Sequence, residues 1–198
     1  MITNQDRSKW FGASDTSMVM GNWDTRSFGD WWLVKLGIFV NNHKSWMMDC
    51  GNIIERHVIQ AIEKLEGVKI SIGTRPYHTR RLRLRVNYDG IRPKEIVEIK
   101  TSEKGFKKVP KNYWQQCQVL MYRMRRKKTG LYLYYMKDED YLNPYFPDID
   151  VSRIVRFDVE YDANFIKDYL PRLKFLKKCL KKKIRPTEED YERWLLCR

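Results

Sequence analysis

The sequence predicts an α/β fold in which a central, mixed sheet is flanked by helices. Three observations carry this: stretches with apolar residues at helical spacing, stretches with alternating or β-branched apolar residues, and the interleaving of the two along the chain. Of 198 residues, 42% are hydrophobic and 14% aromatic, enough to bury one sizeable core, so disorder is excluded even though 32% are charged. No repeat, low-complexity tract or Pro/Gly/Ser-rich linker offers a cut point, and a single domain over residues 1–198 is expected.

Ser14 suits the N-cap of a short helix that ends before Gly21. Residues 28–39 carry Trp31, Trp32, Leu36 and Phe39 at helical spacing. Residues 48–65 carry Ile53, Ile54, Val58, Ala61, Ile62 and Leu65 as one stripe, which leaves Glu55 and Gln60 at or beyond its edge. Residues 68–72 read as a strand. In residues 80–88, Leu82, Leu84 and Val86 alternate with Arg81, Arg83 and Arg85, the period of a half-buried strand. Gly90 and Pro93 supply a turn, and the β-branched residues 94–101 return as the second arm of a hairpin. A helix over residues 111–128, stopped by Gly130, follows, then strands over 131–136 and 153–161. An amphipathic helix over 163–183, which Pro171 should kink or split, and a last helix starting at Thr187 complete the chain.

Lys and Arg total 39 against 25 Asp and Glu, a net charge of +14, which points to a polyanion such as nucleic acid. The four cysteines lie far apart with no C-x-x-C pair, so neither a zinc ribbon nor a small disulfide framework is indicated. His43, His57 and His78 lack metal-ligand spacing, and no Gly-rich phosphate loop is present. The N-terminus is polar and no apolar run approaches the roughly 18 residues of a membrane span, so a soluble, cytoplasmic protein without a membrane partner is expected.

The chemistry concentrates in the hairpin. Residues two apart on a strand share a face, so Glu98 and Lys100 project together while Ile99 points into the opposite layer, and Asp89 lies across the turn. Paired carboxylates supply hard oxygen ligands for magnesium or manganese, and a lysine beside them can orient or deprotonate a water. A turn aspartate and a solvated Glu–Lys pair would satisfy the same spacing, but apolar Ile96, Val97 and Ile99 indicate a buried central strand, where a charge needs a partner or a metal.

Asp89-Gly90 followed by Glu98-Ile99-Lys100-Thr101-Ser102 resembles the core of the PD-(D/E)XK nucleases. Arg7 with Phe11-Gly12-Ala13-Ser14-Asp15, Gly51 with Glu55, and Val109-Pro110 with Tyr113, Gln116 and Gln118 resemble the YqaJ-type viral recombinase branch in the same order. The resemblance runs from Arg7 to Tyr122; the last third of the chain matches only in element order. It implies a PD-(D/E)XK-like mixed sheet forming a single nuclease domain, with Asp89, Glu98 and the Ile99 carbonyl as metal ligands and Lys100 positioning the attacking water. Glu55 would reach a metal directly or through water. Gln116 would help orient the site, with Gln115 and Gln118 as alternatives.

By the same resemblance, Arg7, Ser14 and Tyr113 bind a terminal phosphate of the DNA, a role that a guanidinium fork and a hydroxyl at a helix start suit physically. The implied cofactor is Mg2+, with Mn2+ as the alternative and one or two ions. The implied activity is phage-type 5′ to 3′ resection of linear double-stranded DNA from a 5′-phosphorylated end, leaving 3′ overhangs in the host cytoplasm. A trimeric ring and a single-strand annealing protein are the implied partners.

Other readings are an endonuclease or single-strand nuclease on the same core, or a catalytically silent DNA-binding protein. Cys179 and Cys197 stand too far apart for the iron–sulfur cluster of CRISPR adaptation nucleases, and a silent binder needs no Asp89, Glu98 and Lys100. The cluster Arg123, Arg125, Arg126, Lys127 and Lys128 is a candidate for DNA backbone contact, although a helix C-terminal dipole also favours it. Lysines 174, 177, 178 and 181–183 form a second such cluster. Most tryptophans are expected in the core, with Trp10 and Phe11 the better candidates for holding a DNA end.

Overall fold

A computed structural model of the chain describes residues 8–39 and 45–197. A 3₁₀ turn at Ala13–Asp15 leads into α1 (Thr16–Met20), α2 (Arg26–Leu36) and α3 (Trp46–Glu66). Short strands β1 (Ser71–Ile72), β2 (Tyr77–Thr79), β3 (Leu84–Val86) and β4 (Gly90–Ile91) precede β5 (Ile96–Ser102). Then come α4 (Lys111–Met124), β6 (Lys128–Tyr135), α5 (Asp138–Leu142), β7 (Ile154–Glu160), α6 (Ala163–Lys182) and α7 (Glu188–Leu196). The helix ends follow capping chemistry: the Thr25 and Ser45 hydroxyls accept the Phe28 and Met48 N–H groups, while Gly37 and Gly67 close α2 and α3 at φ 73° and 65°.

The main sheet has the order β1-β4-β5-β6-β7. β5 and β6 run parallel, from Ile96 opposite Thr129 to Ser102 opposite Tyr135, and the remaining pairs are antiparallel, so the sheet is mixed as expected. On one face Val97, Ile99, Tyr132 and Tyr134 pack against Cys50, Ile54, Val58 and Ile62 of α3. On the other, Ile96, Leu131 and Val159 pack against Cys117, Leu120 and Met121 of α4, with Ile166, Tyr169, Leu173 and Leu176 of α6 in the same core. The central strands are therefore apolar toward both helical layers, and a charged residue on β5 is an exception that calls for a reason. Among the described residues no helix is long and apolar enough to cross a membrane.

Several elements differ from expectation. Residues 80–88 do not form one arm of the hairpin: Arg80–Leu82 is a 3₁₀ turn, Arg83 adopts a left-handed conformation with φ 51°, and β3 pairs with β2 instead of β5. Only Gly90 and Ile91 pair with β5 in the hairpin, opposite Val97 and Ile96. α4 ends at Met124, with Arg125 left-handed at φ 54°, and Gly130 lies inside β6. Pro171 does not split α6, whose buried stripe continues on both sides of it. Ser14 lies within the 3₁₀ turn, where the neighbouring Asp15 carboxylate accepts the Gly12 N–H at 2.6 Å. Phe11 is fully buried against Trp31 and Trp32 and is unavailable to DNA, whereas Trp10 remains partly exposed.

Candidate active site

Strand alternation turns Glu98 and Lys100 to one side of β5 and Ile99 into the α3 layer. The β4–β5 register, with Gly90 opposite Val97, carries Asp89 back across β5, and its Oδ2 accepts the Ile99 N–H at 2.7 Å. Glu98 is 2% exposed. Its Oε1 accepts a bond from Lys100 Nζ at 2.7 Å and a close one from Gln116 Nε2 on α4, while its Oε2 is buried with no partner among the described residues. Lys100 Nζ also lies 5.8 Å from the centre of the Tyr113 ring.

α3 brings the third carboxylate. A side chain at Gly51 would put its Cβ 2.5 Å from Thr101 Oγ1, so the absent side chain lets α3 approach β5 closely. Glu55 lies about one turn farther along the same helix. Asp89, Glu98, Lys100, Glu55, Gln116, Ser14 and Trp10 all line one cavity of about 430 Å³. Of the glutamines, Gln116 is the one at the site; Gln118 instead donates to the Glu160 carbonyl and accepts the Asp162 N–H, clamping α4 to the end of β7.

The cavity holds its charges under tension. Burial, then repulsion from Asp89, pushes the Glu98 carboxyl up to about 7 despite Lys100 beside it. Glu55 stands well above the usual carboxylate range for the same reasons, burial first and Asp89 next, and burial also raises Asp89 against the pull of Lys100 and the Ile99 N–H. Burial alone would lower the Lys100 pKa, but Glu98, Asp89 and Glu55 more than offset it and hold the ammonium form. Converging carboxylates with raised pKa values, one with an unpartnered buried oxygen, fit a divalent cation that would replace the missing counter-charge. Among the described residues no group of three or more His, Cys, Asp or Glu side chains is arranged to hold a metal ion on its own, so an ion here would need backbone, water or substrate oxygens beside the carboxylates.

The structure also brings residues to the cavity that the sequence reading passed over: Arg85, Asn87, Asn52 and Arg56. Arg85, on the polar side of the Leu82–Leu84–Val86 alternation, is only 6% exposed. The signal was present, because Arg85, Asn87 and Asp89 share one side of an extended segment opposite Leu84 and Val86. Asn87 Oδ1 is buried without a partner among the described residues. Arg7 lies outside the described residues.

The cluster at the end of α4 is not brought to the cavity. Arg123 lies seven residues beyond Gln116, about 10 Å along the helix. Arg123 donates to the His78 carbonyl, Arg126 to the Pro93 carbonyl, and Lys128 pairs with Asp158 at 3.0 Å. Lys127 covers the Tyr161 ring, and Arg125 is exposed at the turn out of the helix.

No curated protein matches the sequence. Among solved structures, the chain is similar to LHK-Exo, an alkaline exonuclease from Laribacter hongkongensis, with a TM-score of 0.70 at 16% identity over 96% of this chain and 95% of that one. The same enzyme in complex with dAMP aligns with a TM-score of 0.71 at 17% identity, covering 89% and 90% of the two chains. A phage-related exonuclease from Haemophilus somnus 129PT aligns with a TM-score of 0.69 at 15% identity, covering 87% and 94%. At these identities the likeness establishes a shared fold. The sequence itself matches the YqaJ-like viral recombinase domain over residues 4–127, the stretch that contains Ser14, Glu55, Asp89, Glu98, Lys100 and Gln116, and the chain therefore belongs to that family.

Proposed function

We propose that the protein is a magnesium-dependent deoxyribonuclease that shortens linear double-stranded DNA from 5′-phosphorylated ends, 5′ to 3′, leaving single-stranded 3′ overhangs. The observation that carries the reading is the buried Glu98, whose Oε1 is taken by Lys100 and Gln116 while its Oε2 faces no partner, with Asp89 anchored on the adjoining Ile99 N–H. Membership of the viral recombinase family and the exonuclease fold support it, as does the dAMP complex of LHK-Exo, a deoxynucleotide held on the same fold.

Asp89 and Glu98 would hold the ion, with the Ile99 carbonyl and Glu55 alongside. Bound there, a divalent cation would polarise the phosphoryl oxygens and stabilise the leaving oxygen. The chain's own residues do the rest. Lys100, kept as an ammonium by its carboxylate neighbours, donates hydrogen bonds that orient the attacking water and neutralise charge on the phosphate. Gln116 fixes the Glu98 carboxylate from the α4 side by donating to Oε1, which leaves Oε2 without a protein partner among the described residues. Ser14, exposed at the cavity wall, would bind a terminal phosphate. Attack in line with the 3′ oxygen breaks the P–O3′ bond and leaves the phosphate on the 5′ side of the product.

Incubation with linear and covalently closed circular duplex in magnesium tests the reading. Shortening of the linear form alone is expected; rapid cutting of closed circles would replace it with an endonuclease.

A further inference from the structure

The loop between β5 and α4 begins at Glu103, three residues beyond the cavity residue Lys100. It carries Lys104, Lys107 and Lys108, and α4 opens with Lys111; all are exposed, and their ammonium groups have no partner among the described residues. The single acid of the segment, Glu103, is engaged by the Tyr141 hydroxyl at 3.0 Å. The loop is tied to the site from inside: Phe106 packs edge-on against Tyr113 with ring centres 6.3 Å apart, and Tyr113 faces Lys100. The N-cap of α4 is Pro110, which offers no side-chain cap, so the first N–H groups of the helix add positive potential at the same place. The basic cluster at the other end of α4 is different, since Arg123, Arg126, Lys127 and Lys128 are occupied by protein partners.

We infer that the β5–α4 loop is the surface that grips the phosphate backbone of the duplex beside the reacting end, through Lys104, Lys107, Lys108 and Lys111. The inference rests on the deoxyribonuclease reading for the identity of the polyanion. Ammonium groups spread along an exposed loop suit duplex DNA, where phosphates recur about every 3.4 Å of axis on each strand. They release counterions on binding, so the surface has a readout separate from chemistry: the slope of log affinity against log salt. Because the loop is anchored through Tyr113 to Lys100, backbone contact there also fixes how the end meets the cavity.

The test is binding of the full chain to a short linear duplex, without divalent metal, at several salt concentrations. Replacing Lys104, Lys107, Lys108 and Lys111 by Gln is expected to weaken binding about 10- to 100-fold near 100 mM salt and to lower the slope by about 2 to 4, near 0.9 per lost phosphate contact. The same change in net charge made at Lys64, Lys69, Lys94 and Lys167 is expected to leave the slope within about one of the wild type. The four Lys→Arg changes in the loop should keep it, and the pair Lys107→Gln/Lys108→Gln should show about half the effect, which covers a quadruple variant that folds poorly. A loop variant with the wild-type slope, or control lysines that matter equally, would overturn the inference. Parallel digestion in magnesium separates the two claims: cleavage with an unchanged slope removes the loop and leaves the nuclease, whereas a lowered slope with no cleavage of any DNA keeps the surface and removes the nuclease.

Discussion

Lys100 Nζ lies 2.7 Å from Glu98 Oε1, two residues back on the same face of β5. A buried carboxylate that shares one oxygen between a lysine and a glutamine and leaves the other unpartnered is an expensive arrangement for a strand whose other neighbours are apolar. If the pair exists for catalysis, its parts should be separable from DNA binding. Glu98→Gln or Asp89→Asn should lower the cleavage rate on saturating duplex by about a thousandfold or more, which corresponds to about 4 kcal/mol, while duplex affinity changes only a few-fold. Lys100→Ala should lose roughly a hundredfold or more. Equal loss of binding and rate in all three would assign them a structural role instead.

The glutamines divide by role. Gln116→Ala removes a donor to Glu98 and should slow cleavage about tenfold with little change in thermal stability. Gln118→Ala strips partners from the Glu160 carbonyl and the Asp162 N–H and should cost about 1–3 kcal/mol of stability, with the rate retained in the folded fraction. Chemical denaturation beside kinetics on both variants distinguishes the two; the reverse pattern would exchange their assignments.

Metal binding and pH should be linked with a definite sign. Burial, with repulsion from Asp89, raises the Glu98 carboxyl from 4.5 to about 7 in the folded chain. Between those values the folded state holds more protons than the unfolded one, so this group's contribution to metal-free stability falls as pH rises through the window. Lys100 is protonated throughout that range in both states and does not alter the sign. A divalent ion must displace the proton, so the rise in melting temperature on adding magnesium should grow from about pH 5 to about pH 8, and cleavage should favour the alkaline side. Glu98→Gln should flatten the magnesium effect. A wild-type shift that does not vary with pH would contradict the assignment.

The contact of Gly51 with Thr101 sets the distance of α3 from β5. Gly51→Ala would place Cβ 2.5 Å from Thr101 Oγ1, so the Thr101 hydroxyl must turn away or α3 must move outward and carry Glu55 with it. A stability loss of about 1–3 kcal/mol with reduced cleavage is expected, and Thr101→Ala in the same chain should restore most of both. Additive losses in the double variant would show that the contact is not what keeps α3 close.

Much of this was legible before the structure, and the limits are physical. Glu98, Ile99 and Lys100 could be placed because strand alternation is strict and the flanking residues are apolar. The mixed sheet and the helices α3, α4, α6 and α7 followed from periodicity and capping residues. Alternation with Leu84 and Val86 shows which side of the segment Arg85 takes, not what stands on that side; Trp10 and Gly12, brought alongside by the pairing of Phe11 with Leu84, line the same cavity as Arg85. The hairpin arm was overextended because Arg83 in a left-handed conformation interrupts a pattern that reads as continuous. Composition cannot reveal that Arg123, Arg126, Lys127 and Lys128 also have partners within the protein, namely Tyr77, Tyr161, Asp158 and two carbonyl groups. The lysines of the β5–α4 loop drew no notice, being spread singly between Gly105, Phe106 and Pro110.

The most direct measurement is magnesium-dependent digestion of a linear duplex labelled separately at each strand end, with 5′-phosphate and 5′-hydroxyl versions and Lys100→Ala as the control. Stepwise release of mononucleotides from phosphorylated 5′ ends is expected, slower from 5′-hydroxyl ends and nearly abolished in the variant. Tight duplex binding without release from either end, or release that Lys100→Ala leaves unchanged, would contradict the proposed function.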